Sequence, residues 1–328
     1  PYLRMTATYY PIQEKPDFDA SEYAQRIEKA LKGDKKDVAK LIVAINNAQR
    51  QEVKAPYQIR YGKKLTDALK EKLSGDTKAL ILALVQTPIE YDIEQIDKAI
   101  EGAGTDENTL IEIICSRTPF QLKAITEHYN KKHANKPLAK AIESDTSGEF
   151  KDLLIKLVGG SRDTEYATDD HAAYEDAIRL YADGKCKLKG NKDGSHFLRI
   201  LASQNMYQLR KVFAEFKKLS HADIETAIKQ EFSGDLQKAY LTIVGATTNK
   251  QKFFAKQLFD SMKGLGTDEN TLIRVIVSRS EVDLNLIREE YRCLKDNTKK
   301  ETLQAAIEDD TSGVFRDTLL DIIAGNKQ

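Results

Sequence analysis

Apolar residues recur along the chain at helical rather than strand spacing. Near the C-terminal end, Leu272, Ile273, Ile276 and Val277 keep i, i+1, i+4, i+5 spacing, Leu284, Ile287 and Tyr291 keep i, i+3, i+7, and Phe315, Leu319 and Ile322 keep i, i+4, i+7. Each set gathers on one face of an α-helix, while the alternation of a half-buried strand is hard to find anywhere. Breaks fall at Gly102 and Gly104, at Gly264 and Gly266, and at a series of Ser-Gly pairs, residues that end or cap helices. The pattern predicts an all-α chain of short helices.

That pattern is repeated. The octapeptide Gly104–Ile111, GTDENTLI, recurs unchanged as Gly266–Ile273, and each copy leads to a Ser-Arg pair, Ser116-Arg117 and Ser278-Arg279. A second marker, Leu73-Ser74-Gly75, Thr146-Ser147-Gly148, Phe232-Ser233-Gly234 and Thr311-Ser312-Gly313, returns at intervals of about 80 residues. The expected organisation is an N-terminal tail over 1–20 and repeats over 21–90, 91–160, 172–250 and 251–328. The polar connection 161–171 separates the first two repeats from the last two. The tail carries Tyr2, Tyr9, Tyr10, Pro11 and Pro16. Its Tyr9-Tyr10-Pro11 could dock a protein partner or accept phosphate, but packing along the core is the favoured role.

In Ile100-Glu101-Gly102-Ala103-Gly104-Thr105-Asp106-Glu107 and Met262-Lys263-Gly264-Leu265-Gly266-Thr267-Asp268-Glu269 an apolar helix meets Gly-x-Gly. Thr105 and Thr267 then stand at N-cap positions, with acids in the first turn, where they suit the helix dipole. A tight helix-turn-helix link would account for that much. A glycine-rich loop also turns successive carbonyls toward one point, as a hard cation such as Ca²⁺ requires, provided a carboxylate completes the site. Asp145 and Asp310, each three residues before the marker glycine, supply it in the two repeats with intact loops. In the first repeat the loop Leu31-Lys32-Gly33-Asp34-Lys35-Lys36-Asp37 lacks the second glycine, and Lys72 occupies the acid position. Shared ligation predicts that joint loss; a turn does not. The third repeat keeps Glu231 but has a longer, more basic loop from Asp183 to Gly194, so a site there stays open. Its Asn191-x-Asp193-Gly194 fragment lacks the acidic ladder and terminal glutamate of an EF-hand.

The 328 residues hold 51 Lys+Arg against 51 Asp+Glu, which removes the usual footprint of a nucleic-acid binder or of a basic membrane-binding face. The longest apolar run, Ala79 to Val85, is far short of the roughly 20 residues of a membrane span. The N-terminal segment shows no signal-peptide core and the chain has no glycosylation sequon. Cys115, Cys186 and Cys293 fit neither a disulfide framework nor a zinc site, so a reducing, intracellular setting is expected. Cys115 and Cys293 fall in helical patterns and read as core, whereas Cys186, in the basic loop, is the candidate exposed thiol for an intermolecular disulfide. No His sits in a triad or a His-Glu-x-x-His arrangement, and the Gly-x-Gly loops follow helices rather than strands, so no enzyme is expected.

Taken together, the two GTDENTLI loops, the acid before Thr-Ser-Gly, the Ser-Arg pairs, Asn46-Asn47-Ala48-Gln49-Arg50-Gln51-Glu52-Val53 and Gly159-Gly160-Ser161-Arg162-Asp163 resemble the annexins over nearly the whole chain. The resemblance implies four all-α repeats of about five helices each, forming a slightly curved disc with calcium loops on its convex face. It implies Ca²⁺ held by carbonyls of Ile100, Gly102 and Gly104 with the Asp145 carboxylate, and by the parallel set Met262, Gly264, Gly266 and Asp310. Thr105, Glu107, Thr267 and Glu269 map onto secondary calcium ligands. In the third repeat Gly184, a carbonyl near Lys187 or Lys189, Gly190 and Glu231 would serve; the first repeat has no main-type site. Asp92, Arg117, Arg274 and Arg279 look like the polar residues of the family's central channel, although buried ion pairs holding the two halves together are the favoured reading. The implied function is calcium-dependent, reversible binding to anionic phospholipid, with the chain cytoplasmic and peripheral on the cytosolic face of membranes, non-classical export remaining open. Self-association on membranes or through Cys186 is a further expectation. The competing reading is a calcium-insensitive helical-repeat scaffold for protein or cytoskeletal partners.

Overall fold

The computed structural model describes residues 9–102, 104–190 and 195–326. The first eight residues of the tail, with Tyr2, and the Asn191–Gly194 fragment lie outside the described residues. Among the described residues, twenty helices fall into four sets of five. The first repeat comprises α1 (Ala20–Lys32), α2 (Lys35–Val43), α3 (Asn47–Tyr61), α4 (Leu65–Lys72) and α5 (Gly75–Val85), and the second α6 (Pro88–Ile100), α7 (Glu107–Ser116), α8 (Pro119–Lys132), α9 (Leu138–Asp145) and α10 (Gly148–Val158). The third holds α11 (Asp170–Leu180), α12 (His196–Ser203), α13 (Met206–Ser220), α14 (Ile224–Glu231) and α15 (Gly234–Thr248), and the fourth α16 (Lys250–Ser261), α17 (Glu269–Arg279), α18 (Leu284–Cys293), α19 (Leu303–Asp310) and α20 (Gly313–Ala324).

Local chemistry starts these helices. Asn46 and Gln49 form a reciprocal capping box at α3, and Thr118 and Gln121 form another at α8, satisfying main-chain donors that a helix cannot satisfy itself. Within the Asn-Ala-Gln-Arg motif, Gln49 also bonds both the N–H and the carbonyl of Lys15. Arg50, 1% exposed, donates to the Ile42 carbonyl and pairs with Glu281 at 2.9 Å. The motif thus ties the first repeat to the tail on one side and to the fourth repeat on the other.

The chain forms two compact units. One combines residues up to Tyr91 with those from Gln251 onward; the other runs from Asp92 to Lys250. In the first, α2 packs on α20 and α5 on α17, around a core that includes Ile27, Tyr57, Leu80, Phe254, Ile276 and Leu319. In the second, α7 packs on α15 and α11 on α13, burying Leu110, Phe197, Phe216 and Tyr240. The polar connection after α10 lies inside the second unit and is stitched down. Ser161 donates to the Lys156 and Ala202 carbonyls, Arg162 to the Leu201 carbonyl, and Asn205 to the Asp163 carboxylate.

One departure from the all-helical expectation is a two-stranded antiparallel ladder after α11, β1 (Tyr181–Ala182) with β2 (Lys185–Cys186). Asp183 and Gly184 make its turn, both at positive φ (54° and 69°), the geometry of a two-residue hairpin. Strands this short leave no alternation to read.

The described part of the tail packs as expected. Ile12 is fully buried, its N–H donates to the Ser280 carbonyl, and the Tyr9 carbonyl accepts from the Asn285 N–H. Beside it, Gly325 adopts φ 83°, and a Cβ there would stand 2.3 Å from the Pro11 carbonyl oxygen. Gly325→Ala is expected to dislodge this stretch and destabilise the chain by about 1–3 kcal/mol; a thermal melt indistinguishable from the unsubstituted protein would show that the close approach is unimportant.

Cysteine placement differs from expectation in one respect. Cys115 is buried, but Cys293 is exposed and Cys186 is only partly so. Cys293 follows the buried Tyr291 by two positions on α18, about 200° around the helix, so it faces water. Burial pushes the Cys115 thiol up to about 12, against a smaller opposing effect of Arg162, and burial, with the Glu231 carboxylate, raises Cys186. A neutral maleimide at pH 7 is therefore expected to modify Cys293 first and Cys115 only on unfolding; mass spectrometry of the labelled peptides checks the order, and early labelling of Cys115 would contradict it.

Candidate metal sites

Two loops share one geometry. After α6, Gly102 and Gly104 have φ 103° and 115°; before α17, Gly264 and Gly266 have φ 104° and 87°. A Cβ at any of the four would meet nothing within 4 Å, so these positions are glycine because of backbone conformation. The loops close onto the preceding helical turn through Asp106 N–H to the Ala99 carbonyl (2.8 Å) and Asp268 N–H to the Ser261 carbonyl (2.7 Å). Ile100 and Met262 stand at the entry of the loops, Glu107 and Glu269 in the first turn of the helix that follows.

Each loop is bound to its downstream acid. The Thr105 hydroxyl donates to the Asp145 main-chain carbonyl at 3.2 Å, and Thr267 bonds the Asp310 carbonyl at 3.2 Å and its Oδ2 at 3.4 Å. Hence Thr105 and Thr267 are not the helix caps expected of them. Asp106 and Asp268 cap α7 and α17, their carboxylates accepting the N–H and hydroxyl of Thr109 and Thr271. Threonine is released to hold the acid against the loop.

The Asp145 Oδ2 atom is buried and accepts no hydrogen bond; the Lys136 ammonium faces it at 3.8 Å, beyond hydrogen-bond distance, and a buried carboxylate oxygen favours a cation in closer contact. Loop carbonyls plus one carboxylate form an all-oxygen donor set that fits Ca²⁺. Among the described residues no group of three His, Cys, Asp or Glu could hold a metal. The surroundings are acidic: burial pushes the Tyr129 hydroxyl up to about 12, with Asp97, Asp145 and Glu101 adding to the shift. Partial loss of water raises the Asp310 carboxyl, as does neighbouring Asp309, against the effect of the Thr267 hydroxyl.

The other two repeats differ. In the third, Gly184 sits at the β1–β2 turn, the Leu188 carbonyl is taken by the Ser195 hydroxyl at 2.7 Å, and Lys189 lies 3.8 Å from the Glu231 carboxylate. Gly190 and the Lys187 and Lys189 main chain lie on the segment leading from β2. In the first repeat the Lys72 ammonium donates to the Gly33 carbonyl at 2.8 Å. The sequence showed Lys72 at the acid position but not what it would bind.

The four channel-like residues make pairs within single units. Arg117 donates to both Asp92 oxygens (2.8 and 2.7 Å), each residue nearly fully buried, in the second unit. In the first unit Arg279 pairs with Asp283 at 2.7 Å and Arg274 donates to the Thr271 hydroxyl at 3.1 Å. These contacts brace each unit internally.

A family model described as Annexin matches residues 22–84, 91–157, 185–243 and 253–322. Annexin A4 of Homo sapiens is 40% identical over 318 residues, covering 96% of this chain and 98% of the relative. Among solved structures, annexin III superposes with a TM-score of 0.88 at 39% identity, over 97% of this chain and 98% of that one. Calcium-bound annexin (Sm)1 is similar at 26% identity and a TM-score of 0.83, over 98% and 94% of the two chains.

Proposed function

The chain belongs to the annexin family, known as calcium-dependent phospholipid-binding proteins, and from that premise we propose that it attaches reversibly to anionic membranes through its second- and fourth-repeat loops. The observation that carries this reading is the duplicated arrangement in which a threonine ties a Gly-x-Gly loop to a downstream aspartate, with one Asp145 oxygen buried and accepting no hydrogen bond. Carbonyls of Ile100, Gly102 and Gly104 with the Asp145 carboxylate would hold one Ca²⁺, and Met262, Gly264, Gly266 and Asp310 the other; Thr105, Glu107, Thr267 and Glu269 would add secondary contacts. Gly184, Gly190 and Glu231 offer a weaker third set. Bound calcium supplies positive charge and open coordination positions for lipid phosphate.

The remaining roles belong to the chain. Leu265, fully exposed at the tip of the fourth-repeat loop, presents an apolar side chain where a membrane interface would bury it. With 51 basic and 51 acidic residues, the chain without cations has little long-range attraction to an anionic surface. No helix among the described residues is long and apolar enough to cross a membrane, so attachment is peripheral, and the reading places it on the cytosolic face. Annexin homologues are generally membrane-binding proteins rather than enzymes, and no catalytic role is assigned.

Co-sedimentation with phosphatidylserine-containing vesicles tests this. Protein is expected in the pellet with calcium and in the supernatant with chelator, and Leu265→Asp should raise the calcium needed several-fold, about the loss of one partly buried leucine. Equal pelleting in both conditions would favour the calcium-insensitive scaffold.

A further inference from the structure

The residue three places before each Ser-Gly glycine is the last residue of the fourth helix in every repeat: Lys72, Asp145, Glu231 and Asp310. The glycine after it has nearly the same conformation each time, φ 56°, 59°, 62° and 63°. The four positions are structurally equivalent, so differences in what surrounds them form an internal comparison.

An ammonium group attends three of the four. In the first repeat it replaces the acid: Lys72 Nζ donates to Gly33, the residue at the C-terminal cap of α1, where a cation is favoured by the helix dipole. In the second, Lys136 Nζ lies 3.8 Å from Asp145 Oδ2, the oxygen that accepts no hydrogen bond. In the third, Lys189 Nζ lies 3.8 Å from Glu231 Oε2. In the fourth, the Asp310 carboxylate accepts from the Thr267 hydroxyl, and among the described residues no Lys or Arg side chain forms an ion pair with it. Counting from the start of the fourth helix, the place of Lys136 is taken in this repeat by Glu301. Glu301 and Asp310 both act electrostatically on Tyr291. One loop is thus left acidic, two are partly neutralised, and one holds a cation of its own.

We propose that Lys72, Lys136 and Lys189 are built-in counter-cations that set the order in which the loops take Ca²⁺: the fourth repeat first, the second next, the third last and the first not at all. This rests on the calcium-binding reading above. An ion entering the second or third loop must displace an ammonium from the carboxylate it uses; one entering the fourth displaces none. Both pairs are about half exposed on the lysine side, so each effect is modest and screened by salt.

The test is a calcium titration of lipid-free protein by calorimetry, in an Asp310→Ala background that leaves the second-repeat loop as the principal site. Lys136→Gln is expected to tighten calcium binding there about two- to five-fold at low ionic strength. The gain should vanish near 1 M salt, where the Debye length is about 3 Å. Lys140→Gln removes the same charge from a lysine paired instead with Glu143 and should change little. Lys189→Gln, in a background lacking both Asp145 and Asp310 carboxylates, should strengthen binding at the third repeat. If Lys136→Gln leaves the isotherm unchanged, or if Lys140→Gln matches it, the proposal is overturned while the functional reading stands. If the unsubstituted chain takes up no calcium with or without lipid, both are overturned.

Discussion

Replacing Asp145 and Asp310 together by alanine is expected to raise the calcium concentration needed for half-maximal vesicle binding by about one to two orders of magnitude. Each substitution removes the acid whose main chain holds its loop, and a charge-assisted ligand contact is worth about 1.5–3 kcal/mol, about 10- to 150-fold in affinity. The fold should be spared. Thr105 holds the main-chain carbonyl of residue 145, not its carboxylate, so the tie between loop and helix end survives truncation of the side chain. Far-UV circular dichroism and the melting temperature without calcium should therefore match the unsubstituted chain, within the ±0.5 kcal/mol or about that typical of surface changes. A calcium midpoint that does not move would show that these acids are not the ligands.

The second large effect concerns stability alone. Asp92→Ala is expected to destabilise the protein by about 3–5 kcal/mol, a large part of the roughly 5–15 kcal/mol that folded chains possess. The pair it breaks has both side chains buried, 3% and 5% exposed, and both Asp92 oxygens engaged. Removing the carboxylate takes away two charge-assisted hydrogen bonds from a guanidinium held in low dielectric. The double change Asp92→Ala with Arg117→Met should recover much of the loss, since an apolar pair of similar volume carries no desolvation cost. Denaturant midpoints check both; a loss under about 1 kcal/mol for the single change would mean that water reaches the pair.

The helices and the fourfold repeat were legible because a 3.6-residue period and an exact octapeptide survive in any reading of the chain. The candidate site was proposed from the sequence for a different reason: two intact loops with acids and one degenerate loop with Lys72 made a comparison inside a single sequence. Other features depend on what folding brings together. Thr105 and Asp106 are adjacent cap formers, and the choice between them is made by a carbonyl 40 residues away. Cys293 shares a helix with buried Tyr291 but faces outward. Lys136 belongs to no motif, and only the turn before α9 places it near Asp145. The grouping of the first repeat with the fourth and of the second with the third is tertiary, so the polar connection that divides the sequence does not divide the structure.

That grouping distributes the loops evenly. Each compact unit holds one intact Gly-x-Gly loop with its aspartate and one repeat whose loop is altered. On the calcium-binding reading proposed above, each unit would contribute one principal loop to a bivalent attachment. Two such loops carried on one chain would give an overall avidity that can exceed either single affinity by about 10²–10⁴. Loss of one loop would then cost far more than half of the attachment, and release as calcium falls would be sharper than either site could produce alone.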